Sequence, residues 1–490
     1  MANDPNTIQY VIQEDGFWYV ASKEKNPYVP ELTVSAKGIA NGLSTEYNDG
    51  WDFGPDSYDP NSTASIPYTQ TSGIQEAFNY VEALAETPPT GYEVKLLTGQ
   101  FNIYAPLQLP NANITFIGSA WRDGSYIVAQ EAMTDMIVGG SGQYTISNIA
   151  FSGNNNATYI FNPTDIDGSV FLFKNVSYNT AVTGFINDTV IIASELLMYD
   201  LYEIGSTTYG LHLVNFSMST FVNCMFNSPC VFGASGTGGT GGIVHLIGGG
   251  YFGGIENYTD VYATNIDLHE LSAGDYSLTI NSGSQTFITN SRLKTSHSTS
   301  YLIYDNGGLL TINGASYQLD ATGSSTQYMI HRVSGANPSS SIMIKGMGVW
   351  SAVGSGDTVT LNIQDNPSTN SQTNIEEPIK TMPTAGTLVL NYPVLSLPAN
   401  PPASGTVYQN TNPNDIEIDL PVYATTSGTA GTVAYGEDAS STPTEMTARY
   451  VNGATSSTAV DIVELVVPAG HYFEFTASGV TFGTAVVKAV

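Results

Sequence analysis

Positive charge is scarce in this chain. Thirteen Lys and Arg stand against 43 Asp and Glu in 490 residues, a formal net charge of -30. That balance excludes a nucleic-acid partner, whose phosphates need clustered Lys and Arg. Charge of either sign is also sparse, at 11% of residues, against about a quarter in ordinary chains. In acid, where carboxylates are neutral, so few cations limit self-repulsion. This fits an acidic exterior, and it fits equally well the polar-neutral surface of an extracellular β protein.

Long apolar runs are missing, so no segment reads as a membrane span and no membrane insertion is expected. The opening MANDPNTIQY is neither basic nor apolar, unlike a secretory leader. For a protein acting outside a cell, virion assembly and release is then the expected route. Cysteine is limited to Cys224 and Cys230, with Pro229 between them. A bridge closing so short a loop adds little loop-closure entropy. Two buried free thiols are expected, with a local disulfide as the alternative. CxxC-type spacing is absent. None of His212, His245, His269, His297, His331 and His471 has metal-ligand spacing. No metal or cofactor is expected.

Amphipathic helices are almost absent too. The exception is SGIQEAFNYVEALAET, residues 72–87. Ser72 can cap it, and Gln75 three residues on completes a capping-box pattern. Glu76 sits in the first turn, where the helix dipole favours an anion. Ile74, Ala77, Phe78, Val81, Leu84 and Ala85 form one apolar face. Pro88 and Pro89 end it.

What is present is β sequence. The 30 Tyr and 19 Phe argue against disorder, and Asn, Ser, Thr and Gly supply turns. After the helix come short segments, Val94–Leu97, Phe101–Tyr104, Leu107–Leu109 and Ile114–Ile117, punctuated by Gly99, Pro106 and Pro110. A pattern then recurs every 20 to 30 residues: ISNIAFSG (146–153), FKNVSYN (173–179), FVNCMFN (221–227), ITNSRL (288–293) and INGASYQL (312–319). Residues 190–201, 244–255 and 342–350 read as degenerate copies. That period predicts a solenoid with two or three short strands per coil, apolar residues stacking inward. Asn at the bend can take left-handed angles and bond to its stacked neighbour. A solenoid leaves an open apolar end that needs covering, and the helix is predicted to cap the first coil through Ile74, Phe78, Val81 and Leu84.

TSGIQEAFNYVEAL followed by VKLLTGQFNIYAPLQLPNANITFIGS resembles the entry to a pectin-lyase-like right-handed parallel β-helix. The matching residues are Ile74, Gln75 and Ala77; Val94, Leu96, Gly99, Phe101 and Ile103; and Ile114, Thr115, Phe116 and Gly118. The lead-in IQYVIQEDGFWYVASKEK and DFGPDS resembles such proteins in archaea and their viruses. The resemblance spans roughly residues 8–390 and implies a fold, not an activity, since that fold serves lyases, hydrolases, tailspikes and adhesins. Near residue 392 the texture changes to a Pro-rich linker and then alternating strands, read as a compact β-sandwich or jelly-roll-like domain. VYQN (407–410) and VPAGHYFEF (467–475) resemble a C-terminal module of phage and archaeal-virus tail-fibre and spike proteins. Pro468 and Gly470 are expected to make a turn. The expected division is a lead-in over 1–60, the β-helix over 61–392, a linker over 393–405 and the sandwich over 406–490.

Hydrolysis on this fold needs paired carboxylates. Asp165 with Asp167, and Asp267 with Glu270, are the candidates, although a solvated loop or turn role is the expected reading of each. They lack the NTD, DD and GHG pattern of polygalacturonase-like hydrolases, although RLK at 292–294 faintly resembles their RIK. A lyase base would come from Lys174, Arg292, Lys294, Arg332 or Lys345, which do not cluster in sequence. GASGTGGTGG (233–242) lacks the Lys and helix of a phosphate loop and reads as an excursion. Sequons stand at Asn61, Asn113, Asn156, Asn175, Asn187, Asn215 and Asn257, all but Asn257 in the first half. Chance predicts about as many, so only their placement suggests a glycosylated shaft.

Binding rather than catalysis is the expectation: a virion surface protein of spike, turret or tail-fibre type that attaches to a host glycan or glycoprotein. A polysaccharide-degrading tailspike and a cellular surface adhesin are the alternatives. The resemblance implies a homo-oligomer, a trimer or a pentamer at a vertex, in contact with other virion proteins.

Overall fold

The computed structural model describes residues 7–14, 17–24, 31–35, 54, 69–84, 91–120, 124–163, 169–179, 183–186, 192–205, 208–214, 216–234, 242–270, 275–295, 301–319, 325–332, 341–351, 355, 357–364, 372–375, 380–383, 387–391, 401–410, 416–424, 430–439, 443, 447–452, 461–468 and 471–489. From Glu31 to Asn391 the chain winds as a parallel β-helix. From Tyr92 onward each coil lays one strand on each of three sides and then returns to the first side one rung along. The first side is a 13-stranded sheet and the second a 12-stranded sheet; the third is divided into sheets of four and eight strands. This is the architecture the sequence resemblance implied.

Register explains the recurring sequence pattern. On the first side a single inward column runs Leu32, Val94, Phe116, Ile146, Phe173, Met198, Phe221, Leu246, Ala263, Ile288, Ile312, Ile344. Leu32 through Ile344 are at most 3% exposed. Strand residues alternate faces, so each strand needs apolar residues only at alternate positions. Aromatic rings interlock across coils: Phe161 meets Phe171 at 4.9 Å and Phe173 at 5.2 Å, both edge-on.

The corner between the first and second sides is built by the motif's Asn. Asn148, Asn175, Asp200, Asn223, Gly248, Asn265, Asn290, Gly314 and Gly346 all have φ between 47° and 68°. They occupy one position on successive rungs. Each backbone N–H from Asn148 to Gly314 donates to the carbonyl just before the next rung's corner residue. Only Gly adopts this left-handed region freely, with Asn and Asp the best tolerated alternatives. The side chains add a ladder bond, Asn175 Nδ2 donating to Asn148 Oδ1 at 3.1 Å.

The helix spans Ile74–Leu84, and Ile74, Ala77, Phe78 and Val81 are fully buried. Phe78 meets Phe116 edge-on at 5.1 Å. Leu84's side chain, Ala85, Pro88 and Pro89 lie outside the described residues. The cap differs from the expected one. Ser72 has φ 54°, and its hydroxyl donates to the Asn102 carbonyl at 2.7 Å. Thr71 takes its place: Oγ1 accepts from the Gln75 N–H at 3.3 Å and donates to Glu76 Oε2 at 3.1 Å. A left-handed Ser72 cannot hold the extended backbone an N-cap requires, so the cap moves one residue back.

The solenoid starts earlier than residue 61. Glu31–Val34 pairs in parallel with Tyr92–Leu96 as the end strand of the first sheet, because Leu32 and Val34 extend the inward apolar columns. Before it, Thr7–Glu14 and Phe17–Glu24 form an antiparallel hairpin. The expected linker lies mostly outside the described residues, but residues 401–405 already bond to the terminal domain. Gly405 N–H donates to the Phe475 carbonyl at 2.9 Å, and Ser404 Oγ accepts from the Ala477 N–H at 2.7 Å.

That terminal domain has two antiparallel sheets sharing a separate core, which includes Ile416, Ile418, Leu420, Val433, Val463, Phe473 and Phe475. The two motifs quoted for it are in contact. Asn410 is 1% exposed, and its Nδ2 donates to the carbonyls of Val467 and Pro468 at 2.9 and 3.1 Å. His471 N–H closes the turn onto the Pro468 carbonyl at 3.0 Å. Both motifs therefore make the fold. Ala469 and Gly470 lie outside the described residues.

Candidate functional site

The expected acids do not assemble into one site among the described residues. Asp165 and Asp167 lie outside them. Asp267 points outward on the second side from strand Asp267–His269, and Arg292 holds the same position one rung along. Arg292 Nε donates to Asp267 Oδ1 at 2.8 Å, and Nη2 to Oδ2. The pair is exposed and forked, so Asp267 is engaged as an ion-pair acceptor. Glu270 is 3% exposed and so faces a different environment.

His269 stands beside this pair, its ring 4.5 Å from that of Phe252. Burial pushes its pKa down, against an upward pull from Asp267. His212 is likewise lowered by burial and partly restored by Glu256. Cys224 and Cys230 are free, buried thiols. Burial pushes Cys224 up to about 12 and Cys230 well above its ordinary value, so neither is a thiolate nucleophile.

The sequons divide by burial. Asn113 is exposed. Asn156 and Asn175 are half-buried, with their amide nitrogens bonded to the Ala129 carbonyl and to Asn148. Asn257 is fully buried. Its Nδ2 donates to the Thr259 carbonyl, the Gln285 carbonyl and Thr286 Oγ1 at 2.9, 3.2 and 2.8 Å. A glycan on that nitrogen would break the core, which corrects the expectation at Asn257. Asn61, Asn187 and Asn215 lie outside the described residues.

Two groups of surface rings appear only once the rungs are aligned. On the third side, Tyr276, Tyr301, Tyr304, Tyr328 and His331 gather from three consecutive strands, Tyr276–Asn281, Tyr301–Asn306 and Ser325–Arg332. Tyr276 pairs with Tyr301, and Tyr304 with His331, across rungs. Tyr276 and Tyr304 are 4.3 Å apart at 47°, and Tyr301 and His331 are 4.7 Å apart at 42°. All five are half-buried, and the group also holds stacked contacts, Tyr276 with Tyr301 at 26°, Tyr276 with His331 at 21° and Tyr304 with His331 at 26°. Asp275 is exposed beside them, and Glu256 sits one rung before Thr279 in the column leading to Tyr304 and His331.

On the first side, His245, Tyr262 and Phe287 form an outward row. His245 and Tyr262 are 5.4 Å apart at 24°, and Tyr262 and Phe287 are 5.0 Å apart at 6°. Here each ring face is covered by the next ring. The only advance signal for either group was the high Tyr count, which does not say which rings share a side.

No family model matches the chain, and no curated protein does. Solved structures similar to it include ORF18 of Geobacillus virus E2, at 14% identity and TM-score 0.37 over 94% of this chain and 83% of that one. Another is the tailspike gp49 of Acinetobacter baumannii bacteriophage Fri1, a capsular polysaccharide depolymerase, at 12% and 0.33 over 100% and 92%. A third is the A-module of the Azotobacter vinelandii mannuronan C-5 epimerase AlgE4, at 12% and 0.34 over 64% and 94%. The fold is defined by the strand register.

Proposed function

We propose that this chain is a virion surface protein of spike or tail-fibre type that attaches to a glycan on its host, and that it binds rather than cleaves. The observation that carries the reading is the half-buried ring group Tyr276, Tyr301, Tyr304, Tyr328 and His331, gathered from three adjacent strands of one sheet. Partly exposed aromatic rings pack on the apolar C–H faces of sugar rings, and the phenol hydroxyls supply hydrogen bonds at the rim. Strands fix the rings in place, so little ordering cost is left to binding. One such site is weak; several copies on one particle raise avidity without new contacts. That is the physical case for a homo-oligomer, a trimer or a vertex pentamer.

The test is binding of the purified full-length chain to host envelope polysaccharide by calorimetry. Tyr301→Ala and Tyr304→Ala should each lower affinity by at least about tenfold, roughly 1.4 kcal/mol, with unfolding unchanged. Equal affinity in both variants would overturn the site. Release of reducing ends or unsaturated sugars, lost in Asp267→Asn, would instead favour a degrading tailspike. A coding neighbourhood without capsid genes would favour a cellular adhesin.

A further inference from the structure

We propose that the outer face of the 13-stranded sheet is where one copy of this chain packs against another. Of the eleven exposed large apolar side chains among the described residues, five lie there. Ile243, Ile247, Tyr262, Leu309 and Met343 are 36–44% exposed, and all lie on strands of this sheet. Their registers place them outward, around the row His245, Tyr262 and Phe287. An apolar patch of this kind on a water-facing side marks an interaction surface.

Charge identifies the occupant. From strand Phe216–Val222 to strand Ser341–Lys345, the outward positions hold one carboxylate, Asp260, and one ammonium, Lys345. The whole chain carries -30, so two copies repel over most of their surfaces. This face is where they can approach at least electrostatic cost, and its two charges are of opposite sign. Size agrees. With strands about 4.8 Å apart and residues about 3.3 Å long, the full 13-strand face covers on the order of 1,000 Å², of which the apolar half is about 500 Å². A stable interface takes about 800 Å² from each partner. The apolar half lies toward one end of the sheet; the other half carries Glu93, Lys95, Lys174 and Glu195 among polar positions such as Thr115 and Thr145, two charges of each sign. A sugar fits less well: at 5.0 Å and 6° the rings cover one another's faces and present only edges.

Sedimentation velocity of the full-length chain across a concentration series tests this. The wild type should self-associate. Tyr262→Asp and Leu309→Lys should each weaken association by at least about tenfold, with unchanged circular dichroism, and Tyr262→Phe should restore it. Tyr301→Ala, on the third side, should leave association intact. If Tyr262→Asp fails to fold, Ile247→Lys reads the same face from another rung. A strictly monomeric wild type, an oligomer indifferent to both Leu309→Lys and Ile247→Lys, or one dissolved by Tyr301→Ala would overturn the proposal.

Discussion

The side-chain amide of Gln75 holds the backbone of Gln108 as a neighbouring strand would. Its Oε1 accepts from the Gln108 N–H at 2.6 Å, and its Nε2 donates to the Gln108 carbonyl at 3.2 Å. Gln108 lies in the end strand of its sheet, so the helix supplies the bonds that a further rung would have made. Gln75→Leu removes both. It should cost about 1–3 kcal/mol, read as a lower midpoint in denaturant. An unchanged midpoint would mean that water replaces the amide at no loss.

Phe78 tests the same cap from its apolar side. Fully buried against Phe116, it leaves no room for a charge. Phe78→Asp should destabilise by several kcal/mol, on the order of 3 or more. Thermal unfolding like that of the wild type would show that the helix does not cover the core.

The left-handed corner gives a sharper comparison. Gly314 has φ +67°, and a Cβ there would come within 2.9 Å of Asn290 Oδ1, the movable end of a side chain. Gly314→Asn extends the Asn column and should be nearly neutral. Gly314→Val places a β-branched residue at positive φ and should cost about 1–3 kcal/mol. Equal melting of the two variants would show that backbone hand is not what selects the residue.

These positions also show what the sequence revealed. The corner Asn and the inward apolar residues were legible because each repeats once per coil under one local constraint, a left-handed bend or a buried stack. The helix was legible because nothing near it competes for its period. The helix cap was read one residue off, since Ser72 and Thr71 are both good caps and only the chain's path to Asn102 decides between them. The start of the solenoid was hidden because Glu31–Val34 pairs across a gap of nearly sixty residues. The ring groups were hidden for a related reason. Which tyrosines share a side depends on the irregular lengths of the loops, and that fixes the phase of every later strand. For the acids, proximity in sequence placed Asp267 and Glu270 together, but one faces outward to Arg292 and the other is buried.

His212 predicts a pH effect. Burial against the Tyr209 ring lowers its pKa below the ordinary 6.5, with Glu256 pulling partly the other way. The unfolded chain then binds this proton more tightly than the native state does. Its contribution is fully present above pH 6.5 and is lost as pH falls from there through the depressed native value. His269 acts in the same direction. The wild-type melting temperature should drop on acidification through this window, and His212→Asn should flatten the drop. A steeper drop in the variant would contradict the sign.

The two separate cores predict independence of the terminal domain. Deleting residues 401–490 removes one core whole and none of the other. The truncated chain should keep its β circular dichroism and a cooperative transition. Aggregation or loss of structure would show that the sandwich is needed to hold the last coils.

The column of left-handed corners also sets the increments in which such a molecule can change length. From Asn148 to Gly346 the coils turn at the same backbone bend, each ending just short of the next. Gain or loss of one entire coil therefore moves everything beyond it by one strand spacing, about 4.8 Å, without turning any column to another side. An insertion of a few residues inside a strand would instead flip the later side chains of that strand between core and water. Insertions in the loops between strands leave both untouched. Related chains should accordingly differ by whole coils or by loop length, and a reach toward a partner surface can be adjusted in fixed steps while the binding face keeps its orientation.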